Sequence, residues 1–214
     1  MDTLDTLKLA PFNLNDADIA WVKKTRDSLS ACDKVRQIYC PMGVYDDPEN
    51  AKVLAKLKPG GLFRLIGPDL EAAWNATRIA IESSDVPMLI AGDLEGGAYC
   101  LPYNTAALNQ IGVAACNDAA LSEAIATVIA EEGALMGYNW SFTPVLDINA
   151  KFRSAIVGTR SYGSNVDTIV REAVIHIKTM QKHGIATTAK HWPGEGYDDR
   201  DQHLVTTVNP LSYD

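Results

Sequence analysis

Five times along the chain a short apolar run rich in β-formers gives way to a longer segment of helical period, and no other feature narrows the fold as much. The runs KVRQIYCP, GGLFRLIG, VPMLIAGD, NWSFTPVLDI and GIATTAKH are apolar on both faces, as parallel strands buried between helices must be. Such alternation builds βα units. It implies an α/β fold, either an open doubly wound sheet or part of an eight-stranded barrel.

The intervening segments carry helix signals. Asn117 and Asp118 can each cap a helix whose Leu121, Ile125, Val128 and Ile129 recur on one face, with Gly137 as its stop. Val166, Ile169, Val170, Ala173, Ile177 and Met180 form the next stripe, ended by Lys182, His183 and Gly184. Asp69 opens a helix through Trp74 and Ile81, and an earlier one around Ile19 to Leu29 precedes the first strand. No linker or low-complexity tract divides the chain, so residues 1–214 are read as one domain. A complete barrel usually needs about 250 residues. Five strands therefore imply that roughly three units of a barrel are still to be supplied.

The net charge of −8 and the lack of clustered Lys or Arg argue against nucleic acid or an anionic membrane as partner. The opening MDTLDTLKLAPFNLND has aspartates where an export signal is basic, and no window approaches the roughly 20 apolar residues of a membrane span. A cytoplasmic location is expected. Cys32, Cys40, Cys100 and Cys116 are spread without a CxxC and are read as reduced core thiols, neither disulfides nor a zinc site.

In either α/β architecture, ligands sit where strands end. VPMLIAGD ends in Asp93, followed by Glu95, Gly96 and Gly97; NWSFTPVLD ends in Asp147; GIATTAKH ends in Lys190 and His191; Arg160 follows the fourth strand. Asp93 or Asp147 could instead cap a helix, and Arg160 could be a surface ion-pair partner. Lys190 beside His191 at the end of a buried strand is harder to explain structurally, because an unpaired charge there is costly to desolvate. GDLEGG is neither GxGxxG nor a P-loop, and its two carboxylates would repel phosphate. Carboxylates with Lys and Arg suit sugar hydroxyls instead, which both accept and donate.

After His191, WPGEG supplies a projecting loop, and beyond it Asp201 and His203 lie two residues apart. At that spacing the carboxylate can hold one ring nitrogen and leave the other for proton transfer. A solvated acidic loop with a stray His is the plain alternative. The chain has no GxSxG and no HExxH, so neither a serine hydrolase nor a zinc hydrolase is expected.

KHWPGEGYDDRDQH resembles the KHFPGHG…DxH loop of glycoside hydrolase family 3, in particular its β-N-acetylhexosaminidase branch. LIAGDLEGG is similar to that family's D-x-E-G-G strand end, YNWSFTPVLDI to its N-F-A-P-V-x-D strand and GTRSYGSN to its R-S-F-G segment. All four occur in family order over about residues 30 to 205. The resemblance implies a TIM-like (β/α)8 barrel, of which this chain supplies about the first five units, incomplete at its C-terminal end.

By the same resemblance the activity is that of a retaining, exo-acting β-N-acetylglucosaminidase. His203 would be the acid/base, held by Asp201, and Asp93, Arg160, Lys190 and His191 would bind hydroxyls of the terminal sugar. No cofactor or metal is implied. The partners are a carbohydrate with terminal β-linked N-acetylglucosamine and the missing part of the barrel, whose late strand carries the family's nucleophile aspartate. A β-glucosidase, a β-xylosidase, a glycoside phosphorylase and a non-catalytic sugar-binding fragment are the alternatives. Glu195, where the family commonly has a second His, and Ala98 and Leu101, where basic residues usually follow EGG, depart from the pattern and bear on what lies beyond the first sugar.

Overall fold

The structure, a computed structural model, describes residues 5–44, 46–96 and 101–212. Gly97, Ala98 and Cys100 lie outside them. Helix α1 (Asp16–Ser28) opens on a capping box in which Asn15 and Asp18 each accept the other's backbone N–H. Short α2 (Ala31–Arg36) follows, and then the chain alternates: β1 (Met42–Val44), α3 (Pro48–Lys56), β2 (Gly61–Leu65), α4 (Leu70–Glu82) and β3 (Leu89–Gly92). Two helices, α5 (Gln110–Cys116) and α6 (Ala119–Leu135), lead to β4 (Trp140–Ser141), and α7 (Val166–Lys182) leads to β5 (Ala186–Thr187).

All pairings are parallel and the strand order is β1-β2-β3-β4-β5. A doubly wound sheet reverses its order beside an early strand; here each new strand adds on the same side, as along the wall of a barrel. The pleat sorts the residues. Leu62 and Ile90 are fully buried in the main core with Ala51, Ala55, Ala73, Ala76 and Ala80 of the helices. On the other face Phe63 stacks on Phe142 at 5.3 Å, and Trp140 meets Phe142 edge-on at 4.8 Å.

Three expectations need correction. The expected first strand begins too early: Lys34, Val35 and Arg36 belong to α2, because the Ser30 side chain accepts the Asp33 N–H and starts a helix there. Pairing begins at Tyr39 and Pro41, whose carbonyls accept from Gly61 and Phe63, so the run was right at its end.

The buried stripes of α6 and α7 also differ. In α6 the buried face is Ser122, Ala126, Ile129, Ala130 and Gly133, while Leu121 is exposed. Small residues are needed there for close approach: a Cβ on Gly133 would lie 2.8 Å from Leu94 Cδ1. In α7, Glu172, His176 and Thr179 are buried while Val166 and Val170 are exposed. These polar groups are satisfied across the helix boundary, with Ser122 Oγ donating to Glu172 at 2.7 Å and His176 Nε2 bonded to Thr143 Oγ1 at 2.8 Å. Third, Cys32 and Cys116 are free but exposed, so they are not core thiols. Among the described residues no helix is long and apolar enough to cross a membrane.

Candidate active site

Parallel strands all end on one side of the sheet, so the residues following β3, β4 and β5 converge. Past Gly92, Leu94 turns into the core and Asp93 and Glu95 point the other way, as i, i+2 residues of extended chain do. Lys190 Nζ lies 2.6 Å from Asp93 Oδ1 and 2.7 Å from Glu95 Oε1. Arg160, at the end of a 3-10 turn (Gly158–Arg160), donates from Nε and Nη2 to the two Glu95 oxygens, 2.7 Å each. Burial pushes the Glu95 carboxyl up, but Arg160 and Lys190 outweigh it and hold the group below its ordinary range.

Beyond β4 and β5 the two strands stay paired. Thr188 N donates to Ser141, Lys190 N to Pro144 and Leu146 N to Lys190. This brings Asp147 beside His191. Asp147, its side chain fully buried, accepts from His191 Nδ1 at 2.6 Å, His191 N at 3.2 Å and Glu195 N at 2.6 Å. Burial raises its pKa, but the His191 ring and these N–H groups lower it further, below the usual carboxylate range. Asp93 and Asp147 therefore anchor cations and loop amides and do not cap helices. Arg160 is likewise no simple surface partner.

Asp147, His191 and Glu195 present atoms within 4.8 Å of one another, a spacing open to a metal ion. Three N–H groups already occupy the Asp147 carboxylate, one of them from the His191 ring, so the trio is a hydrogen-bonded anchor for the loop.

That loop turns through Gly194, at φ +121°, and passes so close to the β4 exit that a Cβ on Gly196 would sit 1.8 Å from the Ile148 carbonyl. At its tip Asp201 Oδ1 accepts both the His203 backbone N–H at 2.8 Å and His203 Nδ1 at 2.7 Å. The expected pair does form, through a side-chain turn and not through extended chain. The His203 amide and ring together hold the Asp201 carboxyl below its ordinary range. The His203 side chain is 70% exposed.

Asp93, Arg160, Lys190, His191 and His203 all line one cleft of about 730 Å³, joined by Glu95, Glu195, Gln202 and Phe142, with Asp201 behind His203. Glu95, expected with Asp93 to suit sugar hydroxyls, instead holds Arg160 and Lys190; two cations that need an acid between them were the signal for it. A second hollow of about 600 Å³ between α4 and α6 is lined largely by apolar residues such as Leu70, Trp74 and Met136, and its Glu132 is taken up by Thr105. Titratable groups converge in the first cleft.

A family model described as the glycosyl hydrolase family 3 N terminal domain matches residues 31–213. A beta-N-acetylglucosaminidase/beta-glucosidase of Cellulomonas fimi is 36% identical over 208 residues, which is 96% of this chain and 37% of that protein. A beta-hexosaminidase of Pseudomonas aeruginosa is 30% identical over 168 residues, 76% of this chain and 50% of its own length. Among solved structures, a beta-glucoside phosphorylase, BglX bound to 2FGlc, superposes with a TM-score of 0.87 at 33% identity, covering 97% of this chain and 38% of that one. A family 3 beta-N-acetylglucosaminidase from Paenibacillus matches with a TM-score of 0.71 at 28% identity, covering 82% of this chain and 35% of that one. The chain thus spans half or less of the length of these four relatives. Its five parallel strands and the helices between them are part of a TIM-like barrel, and the chain belongs to glycosyl hydrolase family 3.

Proposed function

We propose that this chain supplies the sugar-binding floor and the proton-transfer dyad of a retaining β-N-acetylglucosaminidase. The observation that carries the reading is that Asp93, Arg160, Lys190, His191 and His203 line a single cleft, with Asp201 holding His203. Asp93 and Lys190 meet the hydroxyls of the terminal sugar with paired acceptor and donor groups. Arg160, fixed by Glu95, and His191, fixed by Asp147, do the same at the neighbouring positions.

His203 Nε2 delivers a proton to the glycosidic oxygen as the bond to the anomeric carbon breaks, while Asp201 keeps Nδ1 protonated and the ring oriented. A carboxylate forms the glycosyl ester in that step. It belongs to the βα units that close the barrel, against the open edges at β1 and β5. In the second step His203 takes a proton from the water that attacks the ester. A histidine here spares an incoming anion the repulsion of a second carboxylate.

The test is His203→Ala assayed on two substrates, one with an activated aryl leaving group and one with a poor leaving group. The variant should slow the second by about 100-fold or more and the first far less. Equal slowing would remove His203 from the role of acid.

The likeness to a beta-glucoside phosphorylase favours a second reading, phosphorolysis by the same dyad, with phosphate in place of water. Acceleration of turnover by added inorganic phosphate, with a sugar 1-phosphate as product, would establish it. Competition between N-acetylglucosamine and glucose decides between hexosaminidase and glucosidase.

A further inference from the structure

The loop that carries His203 is exposed at its tip, yet its two stems are tied together by one carboxylate. Asp198, whose side chain is only 10% exposed, accepts the Arg200 guanidinium through Nε at 2.9 Å and Nη2 at 2.6 Å, and the Arg200 backbone N–H at 2.9 Å. Oδ2, which takes Arg200 Nη2, also accepts the Val208 backbone N–H from across the loop at 2.8 Å. Further out the strap is closed again, since the Leu204 and Val205 amides both donate to the Asp201 carbonyl. Further in, Asn209 Nδ2 donates to the Gly194 carbonyl at 3.2 Å. Asp198 is thus the side-chain tie nearest the dyad that joins the outgoing strand of the loop to the returning one.

We infer that Asp198 is a positioning residue: by clamping Arg200 and Val208 it closes the base of the turn that presents Asp201 and His203 to the cleft. Without it, the hydrogen bonds that remain among the described residues to tether 199 to 207 are that at the Asn209 stem and that of the Ala155 amide on the Asp199 carbonyl, a 3.3 Å contact. The bonds of the dyad are local and would re-form, but with the base of the turn open they would break more often. What would be lost is its fixed place over the sugar, and proton transfer falls steeply with misplacement of about 1 Å. The inference rests on the catalytic reading of His203 given above.

The test has two arms. Asp198→Ala and the isosteric Asp198→Asn are compared with the parent by hydrogen exchange, reading the Val208 and His203 amides, with the Glu195 amide on Asp147 as an internal control of folding. Exchange at Val208 and His203 should rise by about tenfold or more, while Glu195 is unchanged. In turnover, Asp198→Ala should slow the substrate with the poor leaving group more than the aryl glycoside, and should add nothing in a His203→Ala background. Unchanged exchange at His203, or slowing that adds in full to that of His203→Ala, would overturn the inference. Should His203→Ala itself slow both substrates equally, the catalytic reading fails, and exchange alone then judges whether Asp198 holds the loop.

Discussion

Glu95 receives both ends of the Arg160 fork, Nε and Nη2 at 2.7 Å each, and carries Lys190 Nζ at 2.7 Å on the same side chain. Two cations thus share one buried carboxylate; removing it takes away the acceptor of the Arg160 fork and leaves Lys190 with Asp93 as its remaining carboxylate. Glu95→Ala should cost about 3 kcal/mol of stability in urea unfolding. It should also weaken N-acetylglucosamine binding by calorimetry by about tenfold or more, since Arg160 and Lys190 lose their aim. Glu95→Gln keeps an acceptor and should lose less on both counts. A variant that unfolds like the parent would mean that the trio contributes nothing net.

Asp147 does for the loop what Glu95 does for the cations. Its carboxylate fixes the His191 ring and the Glu195 amide together, so Asp147→Ala should release both. About 3 kcal/mol of stability should go with it, because three N–H donors lose their acceptor. Asp147→Asn retains one acceptor but offers an N–H where His191 Nδ1 already donates, so His191 must change tautomer. The measurement is the His191 ring nitrogen spectrum, which should shift from the Nδ1–H to the Nε2–H form.

Asp201 acts on one ring only. Asp201→Asn should leave sugar binding unchanged, since Asp93, Lys190, Arg160 and His191 are untouched. It should lower turnover of a substrate with a poor leaving group by about 100-fold, with little effect on an activated aryl glycoside. Weakened sugar binding in a calorimetric titration would instead show that the loop itself forms part of the sugar site.

Much of this site was legible because its chemistry sits at strand ends. Asp93, Asp147, Lys190 and His191 each stop an apolar run, and parallel strands bring such ends together whatever their distance in sequence. Arg160 was harder to read, since only the three-dimensional pairing with Glu95 separates it from a surface arginine. The stripes of α6 and α7 misled because apolar size was taken for burial. The helix faces in contact use Ala126, Ala130 and Gly133 for close approach, with Glu172 bonded to Ser122 across them and His176 bonded to Thr143 past β4, polar links that periodicity cannot reveal. The first strand was displaced for a local reason: Ser30 sets a helix start that the β-rich composition of VRQIY conceals.

The second of those polar links gives the sharpest pH dependence. His176 is enclosed, with Nε2 on Thr143, and burial pushes its pKa down to about 4 from 6.5. The folded protein therefore holds it neutral while the unfolded chain takes up a proton below about pH 6.5, so stability falls as pH falls from there and levels off below the folded value. A shift of that size corresponds to roughly 3 kcal/mol between pH 7 and 4. Glu95 and Asp147 act in the same direction but lower down: both carboxyls are held below their ordinary values, so their stabilisation is present above those values and lost only as pH drops through the folded ones. Urea unfolding at pH 7, 5.5 and 4 separates the two. His176→Gln should flatten the fall between pH 6.5 and 4 and leave the acid limb in place. An unchanged slope in that variant would assign the loss to the carboxylates, and His176 would then be protonated in the fold.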